Sequence, residues 1–351
     1  MFKPAKPFVS ITLALAVIFG FASFAAAEPN AATAGKPDAF AVNKLIGRGV
    51  NIGNAFDGTT ATEGEWGVTL QEEYFQVIKD AGFNSIRLTV RWSVRAPNEP
   101  PCTIDPNLFN RVDWAIKNAL SRNLVFIINV QNYFELYNDP VGQKGKFLAL
   151  WKQIAEHYKD YPNTLLFELL NEPQGNLKDA EWNALLKEAL AVVRRSNPDR
   201  MVVIGTANFN RVYQVKTLEL PEDDRNIIVT VHYYLPDEFT HQGAPWSPGS
   251  DKWVGRKWTG SDTEKRRVTK DFDLVANWAK EKNRPIYLGE FGTIEKADMD
   301  SRALWTKCVA DTAVEHGFSF TYWQFAFNLA VYDAEKKTWI KPLLDALIPP
   351  K

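Results

Sequence analysis

The chain is poor in the residues that build metal centres and covalent scaffolds. Its 351 residues include only 2 Cys, 4 His and 3 Met. Cys102 and Cys308 cannot make a disulfide-dense scaffold or a cysteine-built zinc or iron–sulfur site. Four histidines leave little for a multi-histidine centre, so no metal or other cofactor is expected. A surplus of charge is missing too. Lys and Arg total 41 against 42 Asp and Glu, a net charge of −1, which gives nucleic acid no basic surface to bind. Gly and Pro are unremarkable at 20 each, and 45% of the chain is hydrophobic, which excludes collagen-like and disordered chains.

One long apolar run exists, Phe8 to Phe24, preceded by Lys3 and Lys6 and ending in Ala25-Ala26-Ala27. A positive start, an apolar middle and a small-residue exit predict a secretory signal peptide over 1–27. The run falls short of the ~20 apolar residues of a comfortable membrane span, which disfavours an N-terminal anchor. Residues 28–351 are then expected to be exported, secreted or periplasmic, without stable membrane association. In such a compartment Cys102 and Cys308 could pair, if they lie close enough.

What the chain has in quantity is aromatic: 13% of residues, with 12 Trp. Flat rings suit the apolar faces of sugars or the packing of a large core.

Residues 28–45, rich in Ala, Pro and Asn, read as a loosely ordered leader, and no later linker or repeat divides the chain. Apolar runs recur at 49–52, 85–90, 125–130, 164–170, 201–204, 227–232, 285–289 and 318–323. They are short and mostly β-branched or aromatic, as strands buried on both faces should be. Amphipathic segments lie between them, at Leu70–Ala81, Leu108–Arg122, Lys146–Lys159, Asp179–Ser196 and Asp271–Lys282. Eight strands alternating with helices predict an α/β protein with one (β/α)₈ TIM barrel over 28–351. The glycines at 47, 49 and 53 fall inside the first strand, so a dinucleotide loop is not expected.

In such a barrel, chemistry gathers at the carboxyl ends of the strands. Those ends carry Asn54, Arg87, Gln131-Asn132, Asn171-Glu172-Pro173, His232 and Tyr234, Glu290, and Trp323-Gln324. Taken singly, either glutamate is as readily an ion-pair partner or a helix cap. Facing each other across the mouth, Glu172 and Glu290 could divide the acid and nucleophile roles of glycosidic bond cleavage. Glu168, within the fourth strand, reads as the partner of a base.

This ordered set resembles glycoside hydrolase family 5 from about Leu45 to Pro342. The most specific pieces are Leu169-Leu170-Asn171-Glu172-Pro173, His232-Tyr233-Tyr234 with Phe239 to Ala244, and Gly289-Glu290-Phe291-Gly292. The resemblance implies Glu172 as acid/base and Glu290 as nucleophile. It further implies Asn171 on a sugar 2-hydroxyl, Arg87 and Tyr234 holding the nucleophile, His232 near the acid/base, and Trp323 as stacking platform. An adjacent Arg is expected to lower the nucleophile's pKa, and burial to keep the acid protonated. One departure stands out. Related enzymes carry histidine at the end of strand three, where Gln131 and Asn132 stand; these can bind a sugar hydroxyl but cannot shuttle a proton near neutrality.

Trp246, Trp253 and Trp258 fall in one long polar loop and are expected to stack on sugar, with Trp66 serving the far end of the cleft. The Trp residues at 114, 151, 182, 278 and 305 are expected between helices and barrel. The resulting expectation is a metal-independent, retaining endo-β-1,4-glucanase acting on a β-linked polysaccharide. A β-mannanase or glucomannanase and a carbohydrate-binding barrel with little catalysis are its rivals.

Overall fold

A computed structural model describes residues 1–2 and 38–350. All but the first two residues of the expected signal peptide, and most of the expected leader, lie outside the described residues. Among the described residues, no helix is long and apolar enough to cross a membrane.

Eight strands close into a barrel in sequence order: β1 (Arg48–Phe56), β2 (Ser85–Val90), β3 (Val125–Asn129), β4 (Leu165–Glu168), β5 (Val202–Ile204), β6 (Ile227–His232), β7 (Ile286–Glu290) and β8 (Ser319–Tyr322). All neighbours run parallel, and β8 returns to β1 through Arg48↔Phe320, Gly49↔Thr321 and Val50↔Tyr322. This is the (β/α)₈ barrel expected.

The helices are α1 (Ala39–Ile46), α2 (Glu72–Asp80), α3 (Pro106–Leu120), α4 (Phe134–Asn138), α5 (Pro140–His157), α6 (Asp179–Arg194), α7 (Asp237–Thr240), α8 (Asp262–Lys282), α9 (Met299–Glu315) and α10 (Lys341–Leu347). Three depart from the sequence reading. Helix α1 occupies residues expected to be loosely ordered. Asp38 caps it by accepting from Phe40 N, and Asn43 donates to the Ile286 carbonyl at 2.9 Å. Helix α8 begins nine residues early; its first turns are charged and lack an apolar stripe, but Ser261 and Glu264 close a capping box. Helix α9 was expected only as the helical stretch around Trp305, without bounds, because its inner face buries Ser301, Arg302, Thr306 and Thr312 among apolar residues. Between β5 and β6 only a 3-10 turn, Val212–Thr217, replaces a helix.

Side-chain parity along each strand fixes what lies inside the barrel. Val125, Ile127, Leu166, Met201, Val203, Ile228 and Tyr287 form one apolar cluster, closed by Ala39, Val42 and Ile46 of α1. The alternate residues, such as Phe126, Ile128, Leu165 and Phe167, belong to the shell between barrel and helices. Two residues further along the inward-facing columns, Ile127 gives way to Asn129, Leu166 to Glu168, and Thr230 to His232. The barrel interior is therefore apolar below and polar at its carboxyl end.

The shell explains much of the Trp content. Trp92, Trp151, Trp182 and Trp305 are fully buried. Their indole N–H groups donate to Asn129, Leu169, Gly205 and Leu235 carbonyls at 2.8–3.0 Å. Each carbonyl lies at or just beyond the end of a strand, so the same rings that fill the shell also fix the segments leading into the mouth.

Candidate active site

Arg87, on β2, stands at the centre of the polar layer and is wholly buried. Its Nε and Nη2 hold Glu168 as a bidentate pair at 2.6 and 2.7 Å. Nη1 donates to Asn51 Oδ1 at 2.9 Å and to Glu290 Oε1 at 2.8 Å, and Nη2 also donates to Asn171 Oδ1 at 2.6 Å. A guanidinium has five N–H donors, and all five are engaged. Arg87 therefore holds Glu168 and Glu290, the second of these the contact that the family resemblance implied, and has no donor left for a sugar. Glu168 is the ion-pair partner it was expected to be.

Glu290 ends β7, with its side chain 6% exposed. Its second oxygen accepts from the Tyr234 hydroxyl at 2.9 Å. Burial and the nearby carboxylates push that phenol well above its ordinary pKa, so it stays a donor. Asn51 fixes the adjoining backbone by donating to the Gly289 carbonyl at 2.9 Å. Burial pushes the Glu290 carboxyl up; His232, Arg87 and Tyr234 pull it down, while Glu172 adds to the rise. The upward direction differs from the sequence expectation. The reason is burial, which outweighs the pull of an Arg87 charge that also serves Glu168.

Glu172 lies beyond β4 in the bend that carries Asn171, and its side chain is 20% exposed. Its Oε1 is 2.7 Å from His232 Nδ1. Burial pushes the Glu172 carboxyl up to about 7, against the pull of Arg87 and Arg211. Burial also pushes the His232 imidazole down to about 4, so this ring is neutral near pH 7. His232 Nδ1 stands 3.7 Å from Glu290 Oε2. One oxygen from each carboxylate and one His232 nitrogen all lie within 4.8 Å of one another. These three could geometrically hold a cation, but Arg87, bonded to Glu290, places a positive charge against any such ion.

The other expected residues are distributed less evenly. Gln131 is buried, its oxygen accepting from Asn129 Nδ2. Asn132 is half-buried in the left-handed region (φ 51°) and donates to the Asp57 carbonyl at 3.1 Å. Trp323 is half-buried over Gly53, where a Cβ would stand 2.6 Å from its ring. Trp246 is 50% exposed. It meets His241 edge-on at 6.4 Å, and His241 meets Tyr234 at 4.9 Å, so a chain of rings joins it to Glu290. Trp253 and Trp66 are half-buried. Trp258 corrects the sequence reading: only 2% exposed, it packs in the shell and offers no face to a sugar. Cys102 and Cys308 are both free thiols.

Sequence reasoning missed Asn51 and Asn210. A polar residue in the middle of an apolar strand would have pointed to Asn51. Asn210 lies in a loop and carries no such signal.

A family model described as Cellulase (glycosyl hydrolase family 5) matches residues 48–328. The chain belongs to glycosyl hydrolase family 5. Endoglucanase H of Acetivibrio thermocellus is 34% identical over 319 residues, covering 89% of this chain and 34% of that protein. Endoglucanase B of Clostridium cellulovorans is 30% identical over 321 residues, covering 84% of this chain and 71% of that protein. The chain thus spans about a third of the length of Endoglucanase H. Among solved structures, Thermotoga maritima Cel5A, in complexes with mannotriose and with cellobiose, is 48% identical with a TM-score of 0.87. The match covers 89% of this chain and 100% of that one. The matched family region contains both Glu172 and Glu290.

Proposed function

We propose that this chain is a retaining endo-β-1,4-glucanase, with Glu290 as nucleophile and Glu172 as acid/base. The observation that carries the reading is the spacing of the two carboxylates, whose facing oxygens lie within 4.8 Å. Retaining enzymes hold their carboxyls ~5–5.5 Å apart, whereas inverting enzymes leave ~6.5–9.5 Å for a water molecule. Glu290 attacks the anomeric carbon as Glu172 gives its proton to the departing glycosidic oxygen, and the glycosyl ester forms. Glu172 then takes a proton from water, which attacks the same carbon and restores the Glu290 carboxylate.

The surroundings suit this division. Both carboxyls are pushed up by burial, so near neutrality the pair holds a proton in common. Glu172, without an N–H donor from a cation, keeps that proton; Glu290, bonded to Arg87 and Tyr234, is left ionised. Asn171 is assigned to the sugar 2-hydroxyl, Gln131 and Asn132 to neighbouring hydroxyls, and Trp323 and Trp246 to sugar faces. The leader Lys3 to Ala27 supports export, which N-terminal sequencing of the mature protein would test.

A β-mannanase or glucomannanase is the second reading, favoured by the mannotriose complex of Thermotoga maritima Cel5A. Parallel assays on glucan, mannan, xylan and xyloglucan distinguish the two. Release of reducing ends from carboxymethylcellulose, lost in Glu290→Ala with binding retained, is expected. Binding without hydrolysis by the unmodified protein would leave only a carbohydrate-binding barrel. The first product seen by proton NMR should be the β-anomer; an α-anomer would overturn retention.

A further inference from the structure

The loop after β5 turns back through Asn208, Phe209 and Asn210, all in the left-handed region at φ 57°, 65° and 54°. Such a run is uncommon for residues with a Cβ. Two backbone bonds hold it against the mouth: Phe209 N donates to the Pro173 carbonyl at 3.2 Å, and His232 N to the Asn210 carbonyl at 2.8 Å. Gly205 leaves the necessary room, since a Cβ there would stand 2.1 Å from Asn210 Oδ1.

Asn210 is wholly buried. Its Nδ2 donates to the Asn171 carbonyl and faces His232 Nε2 at 3.4 Å. Turning the amide over would set its oxygen against the Asn171 carbonyl, acceptor to acceptor, so the orientation is fixed. Its Oδ1 has no partner, which leaves the two N–H bonds as the reason for the placement. With Nε2 accepting, the imidazole proton resides on Nδ1, which lies 2.7 Å from Glu172 Oε1.

We infer that Asn210 is a positioning residue: it holds His232 as the Nδ1–H tautomer, directs that proton to Glu172 Oε1, and leaves Oε2 to carry the catalytic proton. The inference rests on the reading of Glu172 as acid/base. In the other tautomer, Nδ1 is an acceptor and draws the Glu172 proton away from the glycosidic oxygen. The charged and titratable groups acting on the imidazole are Glu172 and Glu168 from β4 and its extension, Glu290 from β7 and Arg87 from β2. Arg211 acts on Glu172 from beside Asn210.

Asn210→Gly keeps a backbone suited to positive φ and removes the amide. Asn210→Asp keeps the shape and turns the group facing Nε2 into an acceptor. In both, nitrogen chemical shifts of His232 in the free protein are expected to report the Nε2–H tautomer. On soluble glucan, kcat should fall roughly 10- to 100-fold, part of the range of general acid–base catalysis. KM should stay within about twofold, and the alkaline limb of kcat should move up, because His232 then holds the Glu172 proton. A folded Asn210→Asp protein that keeps the Nδ1–H tautomer, or either variant with an unmoved alkaline limb, would overturn the inference. Glu172→Gln tests the underlying reading separately: unchanged hydrolysis there would overturn the acid/base assignment, while the tautomer still reports on Asn210 alone.

Discussion

The two sides of the barrel mouth hold the same functional group in different company. On one side Glu290 accepts from a guanidinium and a phenol, with its side chain only 6% exposed. On the other, Glu172 meets a neutral imidazole and is 20% exposed. Burial raises both carboxyls, so desolvation alone does not tell them apart. The hydrogen-bond donors do. Two donors, one of them cationic, favour the ionised form of Glu290, while Glu172 has only an N–H of a neutral ring. This difference is what the proposed roles rest on: the carboxyl with the cation is the proposed nucleophile, and the other the proposed proton carrier.

The largest expected effect breaks the pair one member at a time. Glu290→Gln should abolish hydrolysis of every β-glucoside, because no nucleophile remains to form the ester. Glu172→Gln should lower kcat on glucan by roughly 10²–10⁴-fold, yet release an activated aryl leaving group in a rapid burst, since that group needs no proton. Burst kinetics with a dinitrophenyl cellobioside would read the difference. Identical behaviour of the two variants would erase the division of roles.

Next in size is the shared cation. Arg87→Met leaves Glu168 and Glu290 buried without a counter-charge, an arrangement that costs about 3–5 kcal/mol. Denaturant unfolding should show that loss at pH 7 and a smaller one at pH 4, where the Glu290 carboxyl, pushed up by burial, is closer to neutral. Equal losses at the two pH values would mean that packing, not charge, is what Arg87 supplies.

How the two sides could be read from sequence differs as well. Glu290 and Glu172 directly follow or closely succeed apolar runs, so strand-end logic reached both. Arg87 and Glu168 were legible as charged residues inside strands, although only inward parity shows that they bond each other. The eight strands were legible because burial on both faces leaves continuous apolar runs. Helix α9 was legible only around Trp305 and without bounds, since its inner face mixes Ser, Thr and Arg with apolar residues and shows no stripe. Trp258 misled for the opposite reason: its neighbours are polar, and only the fold brings it under cover. Asn210 was out of reach because its role depends on a loop closing onto residues far from it in the chain.

A pH comparison sharpens the contrast further. Glu172 titrates near 4.5 when unfolded and at about 7 in the fold. Between those values the folded protein keeps a proton that the unfolded chain releases. Its stabilising contribution is therefore full below 4.5 and is lost as pH rises through 7. Glu172→Gln stays neutral and should be more stable than the unmodified protein at pH 8, by up to about 3 kcal/mol at ~1.36 kcal/mol per unit. The two should converge at pH 4. Glu290→Gln should gain less at pH 8, because it also loses the Arg87 bond. In the unmodified enzyme, kcat should fall as pH rises past about 7, where Glu172 gives up its proton.

The smallest effect tests whether binding can be separated from the pair altogether. Trp246 touches neither carboxylate; it reaches Glu290 only through His241 and Tyr234. On the proposed reading, its half-open ring adds sugar contact without entering the proton path, and aromatic contacts of this kind contribute about 0.5–1.5 kcal/mol. Trp246→Ala should therefore raise KM on long glucans roughly 2- to 10-fold, with kcat, the alkaline limb and thermal stability unmoved. A shift in the pH profile instead would show that the ring chain transmits to Tyr234, and the nucleophile's environment would then extend to the rim of the cleft. Trp258→Ala supplies the contrast. Its buried ring should cost stability, by about 3–5 kcal/mol, while leaving KM alone.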